Sequence, residues 1–224
     1  MIKKYLMYLI IAVAIGILIG SGGCDTTNQT YRNFTVKNKM TSFSFEYPAH
    51  YRRNGPSYWI DEIKPDRELS PSTSISFQSR SKPMPITVPD PSAGRLGTFS
   101  TEYAPIDIEV FVFDAKPYYN TPQNGKGRLE YLLSELARSW ANFQLLDRSQ
   151  VIVSGISAEF AYYSVDAYFP FPREGDLKLE YVRAAYFDYG GYIWKIKAMA
   201  HGGEAIDQMK IDFDHLVETF KIIK

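Results

Sequence analysis

The stretch that decides the fold is LKLEYVRAAYFDYGGYIWKIKAMA, residues 177–200. Polar and apolar side chains alternate from Leu177 to Asp188 and again from Tyr192 to Ala200, which is the period of two typical of half-buried β-strands. The residues between them, Tyr189-Gly190-Gly191, suit a tight turn, because glycine readily adopts the left-handed backbone conformation that short hairpin turns require. The stretch therefore predicts a long antiparallel β-hairpin.

Two amphipathic helices are predicted on either side of this strand region. From Arg128 to Asn142 the apolar residues recur at positions i, i+3, i+4, i+7 and i+11, and Glu204 to Phe220 also follows the helical spacing. The residues of the two stripes are Leu129, Leu132, Leu133, Leu136 and Trp140 in the first helix, and Met209, Phe213, Leu216, Val217 and Phe220 in the second. An apolar stripe needs a surface to pack on, so we expect the first helix to lie on a sheet.

Three further stretches have the strand period. Ser157–Ala167 and Ile106–Phe113 alternate along their length, and Phe34–Tyr47 contains alternating runs that end at Pro48. In Ile106–Phe113 aromatic residues occupy the second face near the end, so we expect that end to be covered on both sides. This mixture of strands and helices predicts an α+β fold.

The segment from Gly55 to Pro105 differs from the rest of the chain. It holds eight of the 13 prolines, and only Ile75–Gln78, with Tyr58–Ile60 as a second candidate, has the composition of a strand. Proline fixes the backbone angle φ and cannot donate a hydrogen bond. We therefore expect a loop-rich excursion from about residue 55 to 105, which serves either as a plain surface insertion or as a functional loop.

Residues Met1–Cys24 have the layout of a bacterial export signal. Two lysines form a cationic head, Tyr5–Ile19 is an uncharged and mostly apolar run, and small residues lead to Cys24, the only cysteine. This ending resembles the lipobox of bacterial lipoproteins, in which the cysteine is lipidated and becomes the first mature residue. The lipobox usually has Leu three positions before the cysteine, where this chain has Ser21.

Two alternatives to lipidation are an uncleaved membrane helix and simple secretion. The apolar run is shorter than the roughly 20 residues that cross a bilayer, unless the glycines after it are included. A lipid anchor or a helix would both leave the lysines inside, so the domain would lie on the extracytoplasmic side of the cell membrane. Asp25–Asn33 is polar and without periodicity, and it is interpreted as a flexible tether.

Charge and cysteine content argue against a nucleic-acid partner and against an internal disulfide. Without the two signal lysines, 23 basic and 25 acidic side chains remain, with no block of like charge. Nucleic-acid binding needs clustered Lys and Arg, so we expect no nucleic-acid partner. With its only cysteine used as the anchor, the domain has no internal disulfide. Packing of its 17 Tyr, 14 Phe and 3 Trp side chains must hold it together.

Short motifs in a fixed order are similar to those of the PsbP-like fold. They are a strand ending in Tyr47-Pro48, a central helix, the turn Val153-Ser154-Gly155 followed by Ala158, the Gly-Gly hairpin, and a closing helix that ends in Phe220-Lys221-Ile222. The resemblance covers about Phe34–Ile223 and implies a single domain, residues 34–224, with helices flanking an antiparallel sheet as an α-β-α sandwich. The superfamily includes the PsbP protein of photosystem II, a Ran-binding nuclear import factor and many bacterial lipoproteins of unassigned role.

The residues that most often bind metals form no local site in the sequence. The chain has three histidines, His50, His201 and His215. None lies in an HExxH motif, and no two of them share a helical turn. Asp212, Asp214 and His215 fall within the closing helix, but residues two apart on a helix point about 200° apart. We expect these three side chains on the solvated face of the helix, and we expect no metal and no cofactor.

Catalytic motifs are also incomplete. In Gly155–Glu159 the last residue replaces the second glycine of a GxSxG elbow, and the segment leads into a strand rather than a helix, so Ser157 is not expected to be a nucleophile. Gly125-Lys126-Gly127, ahead of the first helix, could offer backbone amides to an anion. It lacks the first glycine and the Ser/Thr of a P-loop, which favours a flexible start of the helix.

One aromatic group lies between two predicted strands, in the sequence Tyr168-Phe169-Pro170-Phe171-Pro172. Aromatic rings at the end of a hairpin are costly to expose, and the prolines limit the entropy lost on binding. Tyr168, Phe169 and Phe171 are therefore candidate residues for binding a protein partner or a membrane. The alternative is that the rings fold back over the sheet edge or under the excursion.

These patterns favour a membrane-anchored extracytoplasmic lipoprotein that is not an enzyme and that binds or helps assemble another envelope protein. The first alternative is a lipoprotein that binds or senses a small ligand or a metal ion. An enzyme is the third possibility, and it would need distant residues to converge, such as His50, Asp61 and Glu62.

Overall fold

The fold is built on the predicted hairpin. The computed structural model describes residues 29–36, 42–54, 72–90, 95–114, 122–167 and 178–223, and the hairpin strands extend over Leu179–Tyr189 and Tyr192–His201. Gly190 and Gly191 form the turn with φ of 63° and 80°, the left-handed region that such turns require. The hairpin prediction is therefore confirmed.

In chain order the strands of these ranges are β1 (Tyr31–Val36), β2 (Ser42–Pro48), β3 (Arg52–Asn54), β4 (Ser72–Gln78), β5 (Lys82–Asp90), β6 (Arg95–Tyr103), β7 (Ile106–Asp114), β8 (Gln144–Val153), β9 (Ile156–Asp166), β10 (Leu179–Tyr189), β11 (Tyr192–His201) and β12 (Lys221–Ile223). The α-helices are α1 (Gly125–Ser139) and α2 (Ile206–Thr219), and a short 3₁₀ helix, Gly203–Ala205, precedes α2.

Seven of these strands form one sheet in the order β3-β4-β7-β11-β10-β9-β8, while β1, β2 and β12 form a smaller sheet and β5 pairs with β6. Every pairing is antiparallel. The described chain is therefore an α+β fold dominated by antiparallel sheet, as the sequence predicts.

The seven-stranded sheet buries apolar side chains on both faces. Phe187 and Trp194 belong to one apolar cluster, which also contains residues of α2, and their neighbours Tyr186 and Ile193 belong to a second cluster, which contains residues of α1. Because neighbouring residues of a strand point to opposite faces, the two clusters lie on different faces of the sheet.

The predicted helical stripes are the buried faces of the helices. In α1, Leu129 and Leu133 are buried, and in α2 the buried apolar residues are Met209, Phe213, Leu216 and Val217. Burial of each of these large apolar side chains contributes about 1.5–3 kcal/mol. α1 begins with Asn124, whose side chain accepts a hydrogen bond of 2.7 Å from the N–H of Gly127, and such a cap stabilises a helix by about 1 kcal/mol.

The expectation that the polar residues of the closing helix are solvated is wrong for Asp212, and His215 is only partly exposed. Asp212 is 1% exposed, and it accepts hydrogen bonds from the hydroxyl of Tyr51 and, at 2.9 Å, from the side-chain amide of Gln208. His215 stacks on the ring of Tyr31 with 3.6 Å between centroids. These aromatic partners come from the small sheet and from the residues after it, so helical spacing alone did not reveal them.

The proline-rich segment contains more regular structure than the sequence suggests. β4 begins three residues before the predicted strand, and β5 and β6 form a hairpin of nine paired positions; Tyr58–Ile60 lies outside the described residues. The prolines of β5 are Pro83, Pro85 and Pro89. These prolines are two and four residues apart, so all three occupy the same kind of position, because hydrogen-bonded and non-hydrogen-bonded positions alternate in an antiparallel pair. The nitrogens of all three can therefore face away from β6, where no hydrogen bond of the pair is lost.

Candidate functional site

The predicted lipidation residue, Cys24, and the three candidate binding residues, Tyr168, Phe169 and Phe171, lie outside the described residues. The chain on both sides of the aromatic group is described, and the N–H of Ala167 donates to the carbonyl of Lys178 at 2.8 Å. Ala167 and Lys178, the described residues on either side of the aromatic segment, therefore lie together at one end of the β9–β10 pair. Leu145 of β8 pairs with β9 near the same end.

β8 is a free edge of the seven-stranded sheet. It pairs with β9 on one side and, within the described ranges, with no strand on the other. Gln144–Gln150 is exposed throughout, and Leu145, Leu146 and Ile152 are 45%, 45% and 64% exposed. They are three of the six large apolar side chains that are exposed in the described part of the chain. A free edge with exposed apolar side chains is a template for an added strand.

The backbone of β8 presents alternate residues to that free edge. Ser154 and Gly155, which have φ of 52° and 79°, form a two-residue turn, so Val153 is hydrogen-bonded to β9. Hydrogen-bonded and non-hydrogen-bonded positions then alternate along the pair. Counting back from Val153, the N–H and C=O groups of Ile152, Gln150 and Arg148 point away from β9.

A second surface lies on the sheet face that α1 partly covers. α1 packs on β9, β10 and β11, so the β7 side chains on this face lie beside the helix. We define the basic-aromatic patch as Arg128 of α1, Phe111 and Phe113 of β7, Tyr186 of β10, and Lys195 and Lys197 of β11. Lys197 forms an ion pair of 2.6 Å with Glu109, its direct neighbour across β7 and β11.

Aromatic rings form the floor of the basic-aromatic patch. The Nζ atom of Lys195 lies 4.7 Å from the centroid of the Phe111 ring and 5.7 Å from that of Tyr186. The guanidinium carbon of Arg128 lies 5.9 Å from the centroid of Phe113. A cation over a ring face is attracted by the quadrupole of the ring, by about 0.5–2 kcal/mol.

Burial and the nearby charge of Lys197 together lower the pKa of Lys195 to about 7, although Glu109 opposes the shift. Burial also raises the pKa of the Tyr186 hydroxyl, so that side chain is neutral at physiological pH. Lys195 is therefore the side chain of the patch whose charge responds to pH near neutrality.

A buried histidine lies between two carboxylates at the far end of the same face. Nε2 of His201 is 3.2 Å from Asp107 and Nδ1 is 3.2 Å from Glu180. Burial lowers the pKa of His201, but the hydrogen bonds to the two carboxylates outweigh burial, and the net pKa is raised. The group ties β11 to both β7 and β10, with Tyr103 of β6 edge-on to the imidazole at 6.3 Å.

Among the described residues, those considered for catalysis form no catalytic arrangement. Ser157 is exposed on β9 and donates to the side chain of Gln150 at 3.4 Å. The N–H of Gly125 donates to both carboxylate oxygens of Asp188, at 2.9 and 3.1 Å, so this amide is already occupied. His50 is exposed next to Tyr51, and Asp61 and Glu62 lie outside the described residues.

Two features are absent from the described residues. There is no group of three or more His, Cys, Asp or Glu side chains placed to hold a metal ion in these ranges. None of the helices described above is long and apolar enough to span a membrane.

Comparison with known proteins gives similarities of structure. No family profile and no curated protein matches the chain. Among solved structures, the chain is similar to the cyanobacterial PsbP of Synechocystis, with 11% identity, a TM-score of 0.48 and coverage of 91% of this chain and 99% of that one. A PsbP structure is thus found among the similar folds, as the sequence motifs predict.

Two further solved structures are similar at comparable levels. LpqN, described as involved in cell envelope biogenesis of Mycobacterium tuberculosis, has 13% identity and a TM-score of 0.41, covering 88% of this chain and 94% of its own. PA94 of Pseudomonas aeruginosa, a protein of unknown function, has 12% identity and a TM-score of 0.39, covering 73% and 91%.

Proposed function

We propose that this chain is a membrane-anchored extracytoplasmic lipoprotein whose α+β domain, an α-β-α sandwich, binds another protein of the cell envelope without catalysis. The observation that carries the proposal is the free edge of β8. The export signal ending at Cys24 supplies the location, and β8 supplies the surface.

The geometry of β8 defines the segment that it accepts. The outward N–H and C=O groups of Arg148, Gln150 and Ile152 would form the ladder of an added extended strand. Leu145 and Ile152 lie on the same face of the sheet as Arg148 and Gln150, since they pair with alternate residues of β9. We therefore propose a partner strand with apolar side chains opposite the two ends of β8 and polar side chains opposite its middle.

A matched pair of variants separates the backbone edge from the side chains. Gln150→Pro and Gln150→Ala both lose the 2.9 Å hydrogen bond from Gln150 to Glu159, but only proline removes the outward N–H. We expect Gln150→Pro to keep its fold by circular dichroism and to lose the partner, while Gln150→Ala retains it. Equal binding by both folded variants would refute strand addition.

Site-specific crosslinking identifies the partner in membranes of the native organism. A photoreactive benzoylphenylalanine at Ile152 is expected to crosslink to an envelope protein, and the product should disappear in the Gln150→Pro background. The matched control is the same residue at Ile211, which is 54% exposed on α2. Identical products at both positions, or a product at Ile152 that persists with proline, would count against the proposal.

The anchor and the aromatic segment are tested separately. Cys24→Ser should release the protein from membranes, and continued membrane binding would favour the uncleaved helix. Replacing Tyr168, Phe169 and Phe171 together by serine should weaken capture of the same partner, because the flanking residues Ala167 and Lys178 lie at the end of the sheet where β8 starts. If a folded triple variant captures the partner as well as the wild type does, the three rings have no role, and β8 alone forms the partner-binding surface.

A further inference from the structure

The basic-aromatic patch has more positive charge than its own carboxylate can balance. Of its three cations, Lys197 is paired with Glu109. Within the described residues, Lys195 and Arg128 contact aromatic rings but form no ion pair, and Nε of Arg128 is buried without a hydrogen-bond partner. Two desolvated positive charges on one face are unfavourable unless an anion joins them.

The surroundings of these charges favour an organic anion over a bare ion. Phe111 and Phe113 are partly exposed, and their rings stack with 5.8 Å between centroids. A flat or aliphatic group would lie on these rings, while Lys and Arg supply the donors that phosphate oxygens prefer. A phosphate monoester carries close to two negative charges at neutral pH, and its charge would favour the cationic form of Lys195, which together with Arg128 would balance the dianion.

We propose that the basic-aromatic patch binds a phosphate monoester, with the phosphate between Lys195 and Arg128 and the organic group on Phe111 and Phe113. The phosphate belongs either to a soluble ester or to the head group of an anionic lipid. This site does not depend on the proposed docking at β8, which lies at the edge of the sheet and is separated from β11 by β9 and β10.

The test uses the full chain in detergent, with phenyl phosphate as the probe in calorimetric titration. We expect saturable binding that Lys195→Gln and Arg128→Gln each weaken by about 10–100-fold, the loss expected for a charge-assisted hydrogen bond. The control is Lys178→Gln, which changes an exposed lysine at the start of β10. No binding by the wild type, or equal loss in all three variants, would overturn the proposal.

Two further probes assign the source and test the aromatic floor. Inorganic phosphate should bind more weakly than phenyl phosphate, and equal affinity would refute the contact with the rings. Phosphatidylcholine vesicles containing phosphatidic acid should retain the protein in competition with phenyl phosphate if the ester is a lipid. Binding of phenyl phosphate without vesicle competition would support a soluble ester. Gln150→Pro should bind phenyl phosphate normally, which separates this site from the function proposed for β8.

A pH series checks that Lys195 is the responsive group. The other charged or titratable side chains in the patch or next to it are Glu109, Lys197, Tyr186, Asp188 and Arg128. His201, Asp107 and Glu180 lie at the far end of the same face. Because the pKa of Lys195 is about 7, the lysine is cationic below pH 7 and neutral above it. Benzenesulfonate, whose charge is constant, should bind more weakly as the pH rises from 6 to 9, and Lys195→Gln should abolish that dependence. A dependence that persists in Lys195→Gln would refute the assignment.

Discussion

Replacing Tyr51 by phenylalanine removes one oxygen atom and leaves the packing of the ring unchanged. The hydroxyl of Tyr51 donates to Asp212, and both side chains are buried, at 4% and 1% exposure. A buried carboxyl that loses a donor costs about 1–3 kcal/mol or more, so we expect Tyr51→Phe to lower the free energy of unfolding by about 2–3 kcal/mol. With a urea m-value of about 2 kcal/mol/M, the unfolding midpoint would fall by about 1–1.5 M.

A double-mutant cycle with Asp212→Leu isolates the hydrogen bond from the rest. Once the carboxyl is absent, the hydroxyl has no charge to satisfy, so Tyr51→Phe should cost less than about 1 kcal/mol in that background. Urea unfolding followed by tryptophan fluorescence measures all four proteins. If Tyr51→Phe has the same effect in both backgrounds, Tyr51 contributes through packing alone, and the reasoning about this hydrogen bond is wrong.

Two further predictions concern pH and close packing. The pKa of His201 is raised in the folded protein by Asp107 and Glu180. The stability that His201 contributes is therefore complete below the usual pKa of about 6.5 and is lost as the pH rises through the folded value. In urea unfolding, His201→Gln should lose more stability at pH 5.5 than at pH 9, and an equal loss would contradict the shift. Gly125→Ala should destabilise the folded protein by about 1–3 kcal/mol, because the new Cβ would lie 3.0 Å from the β10 backbone. The control is Gly203→Ala, whose new Cβ would have no atom within 4 Å, and equal melting temperatures of the two variants would refute the prediction.

The sequence predicts those elements whose burial repeats at a regular period. In β10 and β11 the side chains alternate between the two faces of the sheet, and glycines mark the turn, so both the strands and their connection could be predicted. The stripe of α1 is equally regular because Leu129 and Leu133 contact one surface. In these elements local pattern and tertiary packing agree.

β8 was not predicted because its side chains do not alternate between a core and solvent. Gln144–Gln150 is exposed on both faces, and a register irregularity between Leu145 and Asp147 breaks the period further. The turn at Ser154-Gly155 was visible, but the strand before it depends on pairing with β9. An edge strand of this kind becomes evident only when its neighbour is known.

The sites depend on contacts between distant parts of the chain. Asp212 is buried because Tyr51 reaches it from 161 residues away, and the helical spacing around Asp212 contains no trace of that partner. The pKa of Lys195 is lowered mainly by burial and then by Lys197, and Glu109 opposes the shift. Glu109 belongs to β7, whose pairing with β11 a single sequence does not specify. A site whose residues come from neighbouring strands is therefore not predicted from the sequence, even where the strands themselves are predicted.

Amide hydrogen exchange along β8 tests the docking claim most directly. In the free protein the amides of Arg148, Gln150 and Ile152 should exchange quickly, while those of Ser149 and Val151, which bond to β9, should exchange slowly. With the crosslinked partner identified and added, the three outward amides should become protected and their neighbours should change little. Outward amides that still exchange quickly in the saturated complex would contradict strand addition at β8.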